Sequence, residues 1–320
     1  MTAVLECRDL HVRFKTLDGV VHAVNGVSLE LNEGECLGIV GESGSGKSQM
    51  AMAIMGLLPT NGIATGSVKL DGAEILNAPR KRLNEIRGND IAMIFQDPMS
   101  SLTPFLTVGR QLIEGLVKHK GVGRAEAKAR AIEYLTLIGI PAPARRFEQY
   151  PHELSGGMRQ RVMIAQAMLC RPSVVIADEP TTALDVTVQS QIIDIFRGLR
   201  DHTETSMIVI THDLGVIAGL CDRVCVMYGG RIVETGTTEE IFYDARHPYT
   251  QGLLASMPRL DRDPDGDIQS IVGHPPHFLA APHGCSFADR CRQALERCAE
   301  EEPATRRLSP THHAACHLIP

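Results

Sequence analysis

Residues 41–48, with the sequence GESGSGKS, have the residue types and spacing of a loop that binds phosphate groups. They fit G-x-x-x-x-G-K-[ST], in which glycines let the main chain turn sharply and direct successive N–H groups at phosphate oxygens. Lys47 is expected to reach the β- and γ-phosphates, and the Ser48 hydroxyl to bind Mg²⁺. The expected nucleotide-binding residues of this segment are Gly41, Ser43, Gly44, Ser45, Gly46, Lys47, Ser48 and Gln49. The loop predicts a site for ATP or GTP.

The elements around this loop favour an α/β fold. A buried strand is predicted over 35–40 and a helix over 47–57, which points the positive end of its dipole at the bound anion. A strand is predicted over 91–95, followed by Gln96, and short apolar runs of the buried parallel-strand type are predicted over 173–177 and 207–210. Strands with alternating burial are expected within 1–40, where residues 15–22 have the character of an insertion. A helical region is expected over about 97–165, with one helix at 124–138. A hairpin is expected at Gly229-Gly230.

The composition limits the class of protein. The 320 residues predict two or three structural units, and the net charge of −6 argues against a nucleic-acid partner because no basic excess is available to neutralise phosphates. No apolar run is long enough to span a membrane, and the first residues do not have the pattern of a signal peptide. The nine cysteines are therefore expected in a reducing compartment, where metal or cluster binding is favoured over disulfides.

Four polar positions after predicted strands could act on a phosphate. Asp178 could hold Mg²⁺ through water, and Glu179 could take a proton from attacking water. Gln96 could bind Mg²⁺ or orient water, and His212 would lie at the carboxyl edge of the sheet, where α/β proteins bind ligands. Each also has an ordinary structural explanation, as a helix cap or a hydrogen-bonding partner.

A second helix start offers another anion site. Leu154 is followed by Ser155, Gly156 and Gly157, and then by a helical pattern. Main-chain N–H groups at such a start can bind phosphate, although a plain helix cap has the same residue types.

The order of these segments along the chain resembles the ATP-binding cassette ATPases over residues 1 to about 246. The resemblance implies a RecA-like P-loop core with an antiparallel β subdomain and an inserted helical subdomain. It also implies that Gln96 and Asp178 complete the Mg²⁺ site, that Glu179 is the general base, that His212 contacts the γ-phosphate and that Phe14 stacks on adenine. ATP, rather than GTP, is the nucleotide that this family uses.

The same resemblance implies a dimer. Members of the family bind each ATP between the phosphate loop of one subunit and the Leu-Ser-Gly-Gly segment of the other, so Ser155, Gly156 and Gly157 are expected to serve a neighbour's ATP. Asp185 is expected at that interface. The helical subdomain is expected to bind a membrane partner, and residues 96–104 are expected to form the hinge that couples the nucleotide site to that partner. Met158 departs from the usual glutamine, which changes little because Ser155 and main-chain N–H groups carry the phosphate contact.

The C-terminal region contains a group of four cysteines, Cys285, Cys291, Cys298 and Cys316, separated by 5, 6 and 17 residues. Thiolates in a proline-rich tail with little core suggest a bound ion or cluster. The spacing lacks the short gap typical of zinc ligand pairs, which favours a [4Fe-4S] cluster while leaving zinc or unligated thiols open. The other cysteines, Cys7, Cys36, Cys170, Cys221 and Cys225, are predicted to be core residues.

The tail is also similar to the C-terminal extension of peptide-importer ATPases, on the basis of residues 247–250 (HPYT), 273–276 (GHPP) and 284–291. Some members carry a four-iron cluster there. Residues 44–49 and 220–224 are most similar to the D subunits of oligopeptide importers. The predicted domains are 1–246, the ATPase, and 247–320, the extension.

The resemblance implies an ATPase subunit of a bacterial oligopeptide or dipeptide importer, peripheral on the cytoplasmic face of the inner membrane. The implied partners are two membrane permease subunits, a second related ATPase and, indirectly, a substrate-binding protein, with no nucleic acid. A nickel importer, a soluble cassette ATPase and a non-hydrolysing regulator are the alternatives, and the intact pair Asp178-Glu179 argues against the last.

Overall fold

The structure is a computed structural model that describes residues 2–97, 101–182, 185–257, 271–274, 279 and 283–319. Its strands are β1 Ala3–Thr16, β2 Gly19–Asn32, β3 Cys36–Val40, β4 Gly62–Leu70, β5 Ala73–Glu74, β6 Ile91–Ile94, β7 Val174–Asp178, β8 Ser206–Thr211, β9 Arg223–Tyr228, β10 Arg231–Thr237, β11 Thr305–Arg307 and β12 His313–Ala315. Its α-helices are α1 Lys47–Ile54, α2 Arg80–Ile86, α3 Val108–Lys120, α4 Arg124–Leu137, α5 Pro143–Phe147, α6 Gly156–Met168, α7 Val186–His202, α8 Leu214–Leu220, α9 Thr238–Tyr243, α10 Pro248–Ala255 and α11 Arg297–Glu300. Parts of the predicted segments 96–104 and 273–276 lie outside the described residues, namely 98–100 and 275–276, as do residues 183–184 just before Asp185.

The chain forms two compact units that are interleaved in sequence. The first contains 1–4, 31–35 and 78–209, and the second contains 5–30, 36–77 and 210–320. The predicted domain boundary at 246 stays a prediction.

The first unit contains parallel strands and a helical group. Strand β7 lies between β6 and β8, and β6 pairs in parallel with β7 from Ile91 opposite Val174 to Ile94 opposite Ala177. Every residue of β6 and β7 is buried, as expected for a parallel sheet covered on both faces. The predicted strands over 91–95 and 173–177 are confirmed.

Helices α3 to α6 of the first unit pack around an apolar core of their own. Phe147 lies so close to Gly109 that a Cβ there would be 2.1 Å from its ring, which explains glycine inside α3. The predicted helix over 124–138 is confirmed as α4. The buried core residues of this helical group are Leu102, Val108, Leu112, Leu116, Ala127, Ala131, Leu135, Ile138, Ile140, Phe147, Leu154, Val162, Ala165, Leu169 and Cys170.

The second unit contains an antiparallel sheet in the order β2-β1-β4-β5 and a run of strands in the order β11-β12-β10-β9-β3. Strands β3 and β9 are parallel, whereas β9 and β10 form an antiparallel hairpin around Gly229-Gly230, as predicted. Both glycines have positive φ (58° and 77°), a conformation that glycine adopts without strain.

The structure corrects two details of the prediction. Residues 15–22 are not an insertion, because β1 continues to Thr16 and β2 begins at Gly19 with a short turn between them. Helix α1 ends at Ile54 rather than at 57, and Gly56 follows with a φ of 63° that cannot continue a right-handed helix. Among the described residues, no helix has the length and apolar character needed to cross a membrane.

Candidate functional site

The phosphate loop takes a main-chain path that only glycine permits at key positions. Gly44 and Gly46 have φ values of 82° and 98°. A Cβ on Gly46 would lie 2.3 Å from the carbonyl oxygen of Ala23, and a Cβ on Gly41 would lie 2.2 Å from that of Met227. The loop is therefore packed tightly between β2 and the end of β9, which leaves no space for a side chain at Gly41 or Gly46.

Lys47 is buried at the start of α1 and is held by its own loop. Its Nζ donates to the carbonyl oxygens of Gly41 (2.7 Å) and Glu42 (2.9 Å) and to Ser45 Oγ (3.3 Å). Gly46, the residue that caps the helix, supplies no side-chain acceptor for the first N–H groups of α1. Main-chain N–H groups at such a helix start can donate to a bound anion.

The polar groups of the loop fit a nucleoside triphosphate with Mg²⁺. Ser43 and Gly44 are exposed, and a Cβ on Gly44 would meet no atom within 4 Å, so the loop has space at this point. The Lys47 ammonium, the Ser48 hydroxyl and the half-buried Gln49 follow in sequence. An ammonium and main-chain N–H groups suit phosphate oxygens, and a hydroxyl suits Mg²⁺.

The end of β7 holds the predicted catalytic carboxylate in a strained conformation. Glu179 has a φ of 47°, whereas Asp178, the last residue of the strand, is buried. Gln96 Nε2 donates to Glu179 Oε2 at 3.0 Å, and Thr182 Oγ1 donates to the same oxygen at 2.8 Å. Backbone strain at a non-glycine residue costs about 1–3 kcal/mol and clusters at functional sites. The structure thus brings together the predicted residues Gln96 and Glu179, and it adds Thr182, which the sequence did not indicate.

The Leu-Ser-Gly-Gly segment is an exposed helix start. Ser155 caps α6, its Oγ accepting from Met158 N at 3.3 Å, and both Ser155 and Gly156 are exposed. From the same helix, Gln160 Nε2 donates to the carbonyl oxygen of Pro180 at 2.6 Å, within the loop after β7. Helix α6 and the loop after β7 are therefore joined directly, a contact that the sequence motifs did not indicate.

Asp185 also caps a helix, since its Oδ1 accepts from Val188 N at 2.9 Å at the start of α7. Val188 packs against Gly157, where a Cβ would lie 3.1 Å from Val188 Cγ1. The role of Asp185 at a dimer interface, like those of Ser155 and Gly157, stays a prediction.

The structure places His212 after β8 and Phe14 in β1, and the predicted contacts of both with nucleotide stay predictions. His212 is exposed and directly follows β8. Phe14 lies near the end of β1, half-buried, with its ring against Gly62, where a Cβ would lie 2.8 Å from Phe14 Cε1.

Cys285, Cys291, Cys298 and Cys316 lie close to one another. Cys285 N donates to the carbonyl oxygen of Cys298 at 2.8 Å. Burial, together with the nearby thiols of the other three, raises the pKa of the Cys285 thiol to about 11. Within the ranges that the structure covers, no three His, Cys, Asp or Glu side chains are arranged to hold a metal ion. The five other cysteines are buried, as predicted.

A phosphate loop at the start of a helix, a signature helix start and a carboxylate pair at the end of a buried strand define a P-loop ATPase of the cassette class. A family model described as ABC transporter matches residues 24–182, and one described as oligopeptide/dipeptide transporter, C-terminal region, matches residues 233–298. The chain belongs to the oligopeptide and dipeptide branch of the ABC transporter ATPases.

Curated relatives match nearly the whole chain. "Oligopeptide transport ATP-binding protein OppD" of Salmonella typhimurium is 52% identical over 98% of this chain and 93% of its own length. "Dipeptide transport ATP-binding protein DppD" of Bacillus subtilis is 48% identical over 99% of this chain and 95% of its own length. Among solved structures, the dimeric MJ0796 cassette is 30% identical, with a TM-score of 0.66 over 73% of this chain and 98% of that chain. The predicted P-loop NTPase fold is confirmed.

Proposed function

We propose that this chain is the ATP-hydrolysing subunit of a bacterial importer that powers oligopeptide or dipeptide uptake through a pair of membrane permeases. The observation that carries the proposal is similarity over nearly the full chain to ATPases of oligopeptide and dipeptide transport, including the C-terminal region. The nickel importer and the soluble cassette ATPase are less favoured, since the relatives are peptide-transport proteins.

In this function each site residue has a defined task. Lys47 and the main-chain N–H groups of residues 41–48 bind the phosphates, while Ser48, Gln96 and Asp178 hold Mg²⁺, which offsets phosphate charge when it is bound. Glu179 accepts a proton from the attacking water, and its carboxylate is oriented by the hydrogen bonds from Gln96 and Thr182. His212 contacts the γ-phosphate, and Phe14 stacks on the adenine ring.

The exposed Leu-Ser-Gly-Gly segment supports the proposed assembly. Ser155 and Gly156 present the N-terminal end of α6 to solvent, where a neighbouring ATPase's nucleotide can bind. A related solved cassette is described as dimeric with ADP and phosphate bound. The second ATPase of the pair is a related, distinct chain, and both bind the permeases at the cytoplasmic face of the inner membrane. A substrate-binding protein delivers the peptide from outside, and no nucleic acid takes part.

Purification of the intact membrane complex tests this function. The complex is expected to contain two permease subunits and a second ATPase, and to hydrolyse ATP faster when a binding protein loaded with peptide is added. Stimulation by a nickel-loaded binding protein alone, or recovery of ribosomes or DNA instead of permeases, would contradict the proposal.

We further propose that Cys285, Cys291, Cys298 and Cys316 hold a [4Fe-4S] cluster with a structural role. Their mutual closeness and their spacing support this, and ligand binding would require the thiols to draw together and lose their protons. Anaerobic purification should yield a brown protein that contains iron and sulfide. Stoichiometric zinc in its place would disprove the cluster.

A further inference from the structure

Two described residues of the C-terminal region, Arg290 and Tyr249, contact Glu42 of the phosphate loop. The guanidinium of Arg290 donates from Nη1 to Glu42 Oε2 at 2.5 Å and from Nη2 to Glu42 Oε1 at 3.0 Å. Tyr249 Oη accepts from Glu42 N at 2.8 Å. The Arg290 side chain is only 6% exposed and that of Glu42 is 25% exposed, so the guanidinium of this bidentate pair is shielded from water.

Arg290 is itself held firmly. Its Nε donates to the carbonyl oxygen of Val272 at 3.0 Å, and its Nη2 also donates to that of Ile271 at 3.3 Å. Nη1 donates to Tyr228 Oη at 3.2 Å, and the guanidinium lies 5.7 Å from the centre of the Tyr228 ring. A guanidinium with this many partners loses little further freedom when it binds Glu42.

Tyr249 is equally fixed. It is fully buried at the start of α10, and its ring packs against those of Tyr228 (centroids 4.5 Å apart) and Phe287 (5.4 Å). Phe287 immediately precedes the short 3-10 helix Ala288–Arg290, so one aromatic cluster supports both contacts with Glu42.

Glu42 is therefore held at three points. Tyr249 binds its main-chain N–H and Arg290 binds its carboxylate, while Lys47 Nζ donates to its carbonyl oxygen at 2.9 Å. Two of these three restraints come from outside the ATPase motifs. Preformed geometry strengthens binding because less order must be imposed when the ligand arrives.

We propose that Arg290 and Tyr249 are positioning residues of the ATP site, which hold the first turn of the phosphate loop in its binding geometry. This inference rests on the proposed function in that the loop binds ATP. Arg290 also has an electrostatic task, because it neutralises the Glu42 carboxylate, which lies in the loop that binds the phosphates and would otherwise repel them.

A double-mutant cycle of Arg290 and Glu42 can separate the two tasks of Arg290. Arg290→Ala removes the restraint and leaves the negative charge of Glu42 unpaired beside the phosphates, whereas Glu42→Gln removes the charge. The double variant should therefore bind ATP more tightly than Arg290→Ala alone, which a purely structural role of the ion pair does not predict.

The experiment measures equilibrium binding of a fluorescent ATP analogue with Mg²⁺ to the full-length chain, in which the absence of tryptophan keeps the background low. Arg290→Ala is expected to weaken binding about tenfold, a typical size for coupling between sites, and the double variant to recover most of that loss. Raised salt should reduce the defect of Arg290→Ala, because salt screens the Glu42 charge.

Two further variants separate positioning from folding. Tyr249→Phe removes only the hydroxyl that accepts from Glu42 and should weaken binding several-fold, with its melting temperature measured alongside. Glu302→Ala is the matched control, since it removes a 2.5 Å ion pair between the tail and Arg231 that does not involve the loop. In hydrolysis assays, Arg290→Ala should raise KM and leave kcat within about twofold, because it acts on binding geometry.

The inference is overturned if Arg290→Ala binds ATP as tightly as the wild-type chain, or if the double variant is as weak as Arg290→Ala. It is also overturned if Glu302→Ala reproduces the defect. The binding assay does not depend on turnover. A wild-type chain that binds ATP without hydrolysing it would contradict the proposed function, but the binding affinities of the four proteins in the double-mutant cycle would still test this inference.

Discussion

Gln96 donates its side-chain amide to the carboxylate of Glu179, with 3.0 Å between Nε2 and Oε2, although the two residues are 83 positions apart in sequence. Gln96 follows β6 and Glu179 follows β7, and these strands are parallel neighbours. Because the carboxyl ends of parallel strands meet at one edge of a sheet, the two predicted catalytic residues lie together. Thr182 completes the arrangement and fixes one oxygen of the carboxylate.

Glu179→Gln should keep ATP binding and lower the hydrolysis rate by at least about two orders of magnitude, the usual scale for loss of a general base. Steady-state turnover, measured beside nucleotide binding, checks this. Glu148→Gln is a suitable control because it changes the same residue type in an exposed ion pair with Lys128. Near-normal turnover of Glu179→Gln would disprove the assignment of the base.

Lys47→Ala should weaken binding of the nucleotide itself, since Lys47 is the buried cation of the phosphate loop. We expect a loss of at least about tenfold in affinity, as for removal of a charge-assisted contact with a phosphate. Titration with labelled ATP measures it, with Lys128→Ala as a control at an exposed lysine. Unchanged affinity in Lys47→Ala would count against the phosphate-loop assignment.

Gly46→Ala should also abolish tight nucleotide binding, for a steric reason. Its φ is 98°, and the new Cβ would lie 2.3 Å from a carbonyl oxygen of β2, so the loop must move. A strained site of this kind costs about 1–3 kcal/mol before any loss of phosphate contacts. The control is Gly198→Ala in α7, where a Cβ meets no atom within 4 Å and alanine favours the helix. Binding by Gly46→Ala at wild-type affinity would contradict the loop geometry.

The stability of the chain should decrease on acidification partly through His247. Burial lowers the pKa of this side chain from 6.5 to about 4. Between those two pH values the unfolded chain takes up a proton that the folded chain does not, so stability falls as the pH falls through this window. The full effect is about 3 kcal/mol.

Thermal unfolding of the wild type and His247→Asn between pH 7.5 and 4.5 measures the contribution of His247. Asparagine can replace the Nδ1 that accepts from Tyr249 N at the start of α10, so the cap is retained without a titrating group. The variant should lose less stability on acidification than the wild type. Parallel pH profiles for the two proteins would refute the prediction.

Local chemistry explains why much of the site could be predicted. Glycines and a lysine at fixed spacing specify the path of residues 41–48, because main-chain conformation is decided over a few residues. The buried strands β6 and β7 were recognisable from apolar runs, and the hairpin from Gly229-Gly230. The end of α1 was misjudged, because the apolar pattern continues past Ile54 and the left-handed Gly56 ends the helix.

The sequence by itself determined the class of this protein, since the order of the motifs along the chain specifies an ABC ATPase. Only the tertiary structure decided what holds those motifs. Arg290 reaches Glu42 across 248 positions, and Gln160 reaches the loop after Asp178 from another helix. Such contacts depend on how elements that are distant in sequence pack together. The sequence around an arginine or a glutamine does not indicate which residue its side chain will contact.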